Sequence, residues 1–377
     1  MLLVNELPDI IGRAVLSPGD QTGSTILTVE IERERLGFFA QLDNYGSRFL
    51  GRAQATTAID FNGYLGMHER IRLIGVTAPD SHPDRELDYL ALDYEQPLTD
   101  DGLKLNLGAS WARVQPGFDL EQFDVDGKSN ILGVGLSYPL ILRRTESLDV
   151  FGEFEYVDID RSDNINLAKT RDNISIFRAG LNFQNADRWL GANSIDLTAS
   201  QGLDIFGVRD EGSPNLTRVE GDPTFTKVEM RIVRLQRLTS RYNLELRAVG
   251  QYSPDELLSS EEFGVGGRSF GRAYDSSEIV GDRGVAFGAE IQAKLTEFES
   301  SDVFEKPEIF AFYDIGTVWN DDSSDNRQSL ASAGGGLRFD TFDRFFVDVE
   351  LSVPLTREVE TEDDNSSRIF AAVSYQF

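Results

Sequence analysis

Residues 344–355 read RFFVDVELSVPL. Phe345, Val347, Val349, Leu351, Val353 and Leu355 fall on one parity, and Arg344, Phe346, Asp348, Glu350 and Ser352 on the other. A period of two sustained for a dozen residues belongs to a β-strand with one apolar and one polar face. Residues 242–252 repeat it, with Tyr242, Leu244, Leu246 and Ala248 against Asn243, Glu245, Arg247 and Gln251; residues 285–295 do so with Val285, Phe287, Ala289, Ile291 and Leu295 against Gly288, Glu290, Gln292 and Lys294. From Gly37 onward about sixteen such segments follow one another: 37–43, 52–60, 70–79, 87–98, 103–114, 130–141, 148–159, 173–185, 192–203, 225–238, 242–253, 284–295, 308–319, 330–341, 344–355 and 367–377. Strands in globular proteins average about five or six residues, whereas a tilted strand needs roughly ten to cross hydrocarbon. An even count returns both ends of a closed barrel to one side.

The connections largely agree with that geometry, 296–307 being a longish inner turn and 44–51 a shortish outer loop. With the first strand running outward, TDDG at 99–102, TSR at 239–241 and FD at 342–343 are inner turns, and 115–129, 204–224 and 254–283 are outer loops. Short turns on the periplasmic side and long loops outside are the outer-membrane pattern. The expected fold is therefore all-β, a 16-stranded antiparallel transmembrane β-barrel, in preference to a soluble β-sandwich or β-rich adhesin. RIFAAVSYQF at the C-terminus ends in Tyr375 and Phe377 on one parity. These two aromatics read as the signal recognised by the outer-membrane barrel-assembly machinery.

Composition narrows the function. A formal charge of −28 disfavours nucleic acid, whose phosphates would be repelled. Acidic loops suit water or a cation-rich lipopolysaccharide layer. No stretch approaches the ~20 apolar residues of a helical span. With no cysteine, disulfides and thiolate metal sites are absent, and no metal or cofactor is expected. His68 and His82, the only histidines, read as ordinary surface residues and offer no base near a serine motif, so no catalytic residue is assigned. The chain opens MLLVNELPDI, without the basic segment or cleavage site of a signal peptide.

The longest connection carries GGRSFGRAYDSSEIVGDRG at 266–284. Its glycines let backbone fold closely on itself or on a wall. In the next strand, EIFAFYDIGTVW at 308–319, Ile309, Ala311, Tyr313 and Ile315 form the lipid-facing parity, so Asp314 points into the lumen with Phe310, Phe312 and Gly316. A carboxylate beside two phenylalanines needs a cationic partner, and Arg272 is the candidate.

These residues resemble the two-partner secretion transporters, the TpsB proteins of the barrel-assembly superfamily. In that family the sixth extracellular loop re-enters a 16-stranded barrel, and the arginine of a V-R-G-Y/F tip pairs with the aspartate of an F-x-D-x-G wall motif. Here Gly271-Arg272-Ala273-Tyr274 and Phe312-Tyr313-Asp314-Ile315-Gly316 stand in those places, with Gly for Val and Ala for Gly at the tip. Gly266 and Gly267 open the loop motif, and Gly281-Asp282 is similar to the dipeptide that closes it. LDNYGSRFLGR at 42–52, with Asp43, Asn44, Tyr45 and Gly46, resembles the family's first strand and its loop. LPDIIGRAVLSPGDQTGSTILTVEIERE resembles the end of a periplasmic POTRA domain. The resemblance implies that residues 1–36 are the C-terminal part of an α+β POTRA domain and residues 37–377 a barrel with a long inserted loop at 254–283. A complete family member carries a signal peptide, a plug helix and two POTRA domains.

The implied function is an outer-membrane pore, monomeric, that passes a large unfolded TpsA-type exoprotein of haemolysin or adhesin kind to the cell surface. Arg272 and Asp314 would latch the loop in the lumen. A barrel-assembly factor and a passive porin are the alternatives; an enzyme is not expected. Pro97, Pro139 and Pro354 read as strand ends, Asp321-Asp322 and the run from Glu360 to Asp364 as solvated loop tips, and Trp111, Trp189 and Trp319 as candidate interfacial residues.

Overall fold

The structure, a computed structural model, describes residues 1–19, 21, 24–78, 86–165, 168–209, 211–296, 304–320, 327–342 and 344–377. His82 and Asp321-Asp322 lie outside the described residues. The chain begins with a helical turn, α1 (Leu2–Asn5), and a hairpin of β1 (Ile10–Pro18) and β2 (Thr25–Arg33). The wall then runs through β3 (Leu36–Asp43), β4 (Gln54–Asn62), β5 (Arg70–Thr77), β6 (Leu87–Pro97), β7 (Lys104–Val114), β8 (Val125–Arg143), β9 (Glu146–Asp163), β10 (Ala168–Ala186), β11 (Gly191–Leu203), β12 (Thr226–Arg237) and β13 (Tyr242–Tyr252). A loop containing the short hairpin β14 (Phe263–Val265) and β15 (Ile279–Gly281) follows. The wall resumes with β16 (Arg283–Lys294), β17 (Glu305–Trp319), β18 (Arg327–Thr341), β19 (Phe345–Pro354) and β20 (Arg368–Gln376). Every neighbouring pair is antiparallel, and β20 pairs with β3, so the sheet closes into a 16-stranded barrel without an edge.

The parity expected from the sequence is the parity found. Along β17, Ile309, Tyr313 and Ile315 are exposed on the outer wall while Phe310, Phe312 and Asp314 are buried within. Along β19, Val349 and Leu351 face out, and Asp348, Glu350 and Ser352 face in. The closing seam ends in aromatics. Phe38 and Phe377 exchange backbone hydrogen bonds at 3.1 Å each way, their rings stack at 5.5 Å, and Tyr375 packs on Phe345 at 5.0 Å. Such a cluster suits the membrane–water boundary.

Three expectations need correction. β8, β9 and β10 run 19, 18 and 19 residues, so the outer link expected at 115–129 shortens to residues 115–124 and contains a 3₁₀ turn, Phe118–Phe123. Their outer ends carry Lys128, Asp158, Asp160 and Arg171, paired across strands by ladder bonds and ion pairs, so strand persists where apolar alternation has stopped. Pro139 is not at a strand end but inside β8, where the register shifts between Pro139 and Ile141. There the residue without an N–H stands next to the irregularity, a place where a strand tolerates proline. His68 is more than a surface residue: its Nδ1 lies 2.6 Å from Oδ1 of the buried Asp9, tying the N-terminal unit to the β4–β5 turn.

Candidate functional site

Residues 253–282 leave the outer end of β13 and fold into the barrel. The tip is tied by its own backbone, with Gly266 N–H donating to Phe270 C=O at 3.0 Å, Gly267 N–H to Tyr274 C=O at 3.1 Å and Tyr274 N–H to Gly271 C=O at 2.8 Å. Gly271 has φ +84°, and a Cβ there would come within 2.6 Å of Leu330 Cδ1 on the wall. Only glycine meets both conditions. Phe263, Val265, Phe270, Ala273, Tyr274 and Ile279 of the loop form an apolar cluster with Val249, Ala286, Val318 and Leu330 of the wall. Gly316 of β17 faces Val265 at close range.

At the tip, Arg272 is 4% exposed and reaches three strands. Its Nε donates to Asp314 Oδ2 at 3.0 Å, one terminal nitrogen to Glu290 Oε2 at 2.6 Å and Glu350 Oε2 at 3.4 Å, and the other to Asp314 Oδ1 at 3.4 Å. The backbone N–H groups of Gly271 and Arg272 also point at Asp314 Oδ2, at 3.3 and 3.4 Å. Asp314, fully buried, thus receives a guanidinium edge and two amides, and Arg247 approaches from β13 at 3.4 Å. Glu290 is shared: Arg338 donates to its Oε1 at 2.5 Å and to Asp348 Oδ2 at 3.1 Å.

Two aromatic rings floor this network. The Arg272 guanidinium lies 3.4 Å over Phe312, and that of Arg338 3.7 Å over Phe310. Such stacking adds about 0.5–2 kcal/mol per pair as the site loses water. The rings lie flat because Gly334 and Gly336 stand opposite Phe312 and Phe310 in register; a Cβ at either glycine would sit about 2.6–2.7 Å from ring carbons.

The rest of the loop is pinned around this centre. The Tyr274 hydroxyl donates toward Ala331 and Arg357 carbonyls, each at 3.2 Å. Arg368 of β20 binds Asp275 at 2.8 Å and the Ala273 carbonyl at 3.1 Å. Asp282 accepts from Arg218 and from Leu257 N–H at 2.8 Å, and its own N–H donates to Asn320, while Gly281 ends β15 beside Trp319. At the loop's base, Glu261 meets Arg178 at 2.9 Å and Lys227 at 2.8 Å. Burial works to raise its carboxyl, but Lys227 and Arg178 outweigh burial and hold it below the usual carboxylate range.

The first-strand motif occupies the seam. Asp43 Oδ1 accepts Tyr45 N–H at 3.0 Å, Asn44 bonds the backbone of β20, and Gly46 N–H donates to Arg52 C=O at 3.2 Å. Tyr45 stacks on Phe370 at 5.5 Å and lies under Arg268 of the long loop at 4.5 Å. Burial and then the Asp348 carboxylate push its hydroxyl up to about 12, so it stays protonated.

Arg272, Asp314, Tyr274, Gly271, Gly316 and Phe312 are therefore brought together. Tyr375 and Phe377 lie apart, at the inner end of the seam. Sequence reasoning missed Glu290, Glu350, Arg338, Glu261 and Arg368. Glu290 and Glu350 were legible as carboxylates on the lumen parity, but nothing in their own strands indicates which segment would bring the cation. The run from Glu360 to Asp364 is not merely solvated: Glu362 pairs with Arg48 and Arg52, Glu360 N–H donates to Glu278, and Thr361 bonds Asp275 at 2.6 Å.

Comparison with known proteins places this geometry. The chain is 20% identical over 369 residues to the heme/hemopexin transporter protein HuxB of Haemophilus influenzae (strain 86-028NP), covering 96% of this chain and 64% of that protein. The chain thus spans slightly less than two thirds of the length of that relative. CdiB from Escherichia coli superposes with a TM-score of 0.80 at 19% identity, over all of this chain and 69% of that one. CdiB from Acinetobacter baumannii does so with 0.75 at 16%, over 98% and 66%. Both share the fold of this chain. Residues 23–339 match the haemolysin secretion/activation protein family ShlB/FhaC/HecB, and the chain belongs to that family.

Proposed function

We propose that the chain forms the gated pore of a two-partner secretion system, carrying a large unfolded TpsA-type exoprotein from the periplasm to the cell surface as a monomer. The carrying observation is Arg272, drawn from an outer loop into the lumen and held by carboxylates of β16, β17 and β19 at once. The family, a group of secretion proteins, supports the same reading, as does a relative described as a transporter. Residues 1–36 would be the end of a periplasmic POTRA domain joined to the barrel through Asp9 and His68. Lipopolysaccharide would surround the outer wall, and Tyr375 and Phe377 would present the chain to the barrel-assembly machinery.

The latch follows from charge bookkeeping. Desolvation of a buried ion pair cancels much of its Coulomb gain, so the intact site contributes modestly and the loop can leave as a unit. Removing one partner instead strands a buried charge, at about 3–5 kcal/mol. No nucleotide is needed, because folding of the exoprotein outside makes return unfavourable.

The test is secretion by Arg272→Ala and Asp314→Ala in cells carrying the cognate exoprotein. Each is expected to lower surface exoprotein about tenfold or more, the equivalent of ~1.4 kcal/mol, while the barrel keeps its heat-modifiable migration in gels. Undiminished secretion by both variants would remove the latch.

A further inference from the structure

The outer loop between β11 and β12 starts on the wrong side of the wall. On β10, Ile174, Ile176 and Arg178 face the lumen, where they meet Leu257, Leu258 and Glu261. Ser175 and Phe177 therefore face outward, and Phe177 is 46% exposed. Ser175 is nevertheless completely buried, because the loop lies over it: its Oγ donates to the Ile205 carbonyl at 3.0 Å. The next residue, Phe206, packs edge-on against Phe154 of β9 at 5.8 Å, and Phe154 is the register partner of Phe177. Phe206 is 74% exposed and has φ +60°, a left-handed conformation that a bulky side chain adopts only when its surroundings enforce it.

The depth of this patch can be read from the wall. Going outward along the same face, Phe154 and Phe177 give way to Tyr156, whose hydroxyl takes a hydrogen bond from Asn173, and then to Asp158 paired with Arg171. Apolar, then amphipathic aromatic, then charged is the order of acyl chain, interface and water. Phe206 sits on the apolar member of that series, below Tyr156.

We propose that Ile205 and Phe206 form a wedge inserted among the acyl chains of the outer leaflet, continuous with the lipid-facing wall of β9 and β10. The same loop then crosses the rim. Asn215 C=O accepts Arg171 N–H at 2.7 Å, Leu216 packs on Leu257 and Leu258, and Arg218 grips Asp282. One connection thus has a lipid-seated end and an end holding the base of the lumen loop.

The chain has no cysteine, so single labels are unambiguous. Nitroxides at Phe206→Cys, Phe177→Cys and Val219→Cys would be compared in phospholipid liposomes by their accessibility to oxygen and to a water-soluble nickel chelate. Val219, 57% exposed on the far part of the loop, serves as the aqueous reference. The label at 206 is expected to match 177, favouring oxygen and shielded from nickel. A label matching 219 would overturn the wedge. So would spin–spin broadening at 206 that vanishes on dilution with unlabelled chain, which would assign the residue to contact between copies. Phe206→Ser, with no core to lose, is expected to assemble normally and to shift the exchange of residues 203–207 only.

Discussion

Asn44 joins the first strand to Ala371 of the last with side chain and backbone together. Its Oδ1 accepts Ala371 N–H at 2.7 Å, its own N–H donates to Ala371 C=O at 3.2 Å, and its Nδ2 donates to Ile369 C=O at 3.0 Å. The regular β20–β3 ladder ends at Asp43, so the side-chain amide extends it by one more rung. Asn44→Ala removes two of the three bonds, each worth about 0.5–1.5 kcal/mol net. The variant is expected to lose its heat-modifiable form at a lower temperature, with Asn44→Asp intermediate because it keeps the acceptor. An unchanged transition in both would show that the seam does not depend on this amide.

Glu290 and Glu350 are unequal partners of Arg272. Glu290 lies at 2.6 Å and bridges to Arg338, whereas Glu350 lies at 3.4 Å and also holds Ser352. Glu290→Gln leaves two stacked guanidinium groups with one counter-charge fewer between them, so the loop should undock more often than in Glu350→Gln. Single-channel recording in planar bilayers reads undocking as open time. Arg272→Lys should resemble Glu290→Gln, since an ammonium keeps the charge but neither the fork nor the stacking plane. Equal open times in Glu290→Gln and Glu350→Gln would count against a shared central carboxylate.

Much of this arrangement is written locally in the chain. Strand alternation fixed the barrel to within a few residues in most segments, and failed in β8 to β10, where pairing of charged residues replaces the lipid that makes alternation visible. Parity placed Asp314 in the lumen, its need for a cation made Arg272 the candidate, and the resemblance named the same pair. Glu261 with Arg178 and Lys227 was not legible, because 83 residues separate Glu261 from Arg178 and nothing in either segment marks the other. The clearest unused signal was Gly334-Gly335-Gly336 opposite Phe310 and Phe312. Three glycines in a strand weaken it unless something large lies across them.

That pairing of small and large is itself testable. Gly336→Val puts a branched side chain where a Cβ alone would stand 2.6 Å from the Phe310 ring and 2.2 Å from the Val349 carbonyl oxygen. The ring must lift, and Arg338 loses its stacking partner. Overpacking of this kind costs about 1–3 kcal/mol. A lower unfolding temperature is expected, together with longer open times. Phe310→Leu in the same chain should restore part of the unfolding temperature by vacating the space, but not the open times, because it leaves no ring under Arg338. A tolerant Gly336→Val would mean that the rings do not need the flat wall.

Acid should loosen the base of the loop. Glu261 is held below the ordinary carboxylate range by Lys227 and Arg178 against the opposing effect of burial. A group whose folded pKa is depressed contributes stability that is full above its unfolded value, about 4.3 for glutamate, and that is lost as pH falls through the folded value. The anchor should thus be intact at neutral pH and weaken below about pH 4. A nitroxide at Ser260→Cys, on an exposed position next to Glu261, is expected to gain mobility over that range. Glu261→Gln should be mobile at neutral pH already and respond little to acid, because a neutral amide leaves Arg178 with Glu155 as its carboxylate partner among the described residues. If the label stays immobile down to pH 3 in the parent chain, or if Glu261→Gln titrates like the parent, the loop base is held by the Leu257–Leu258 packing and not by this acid.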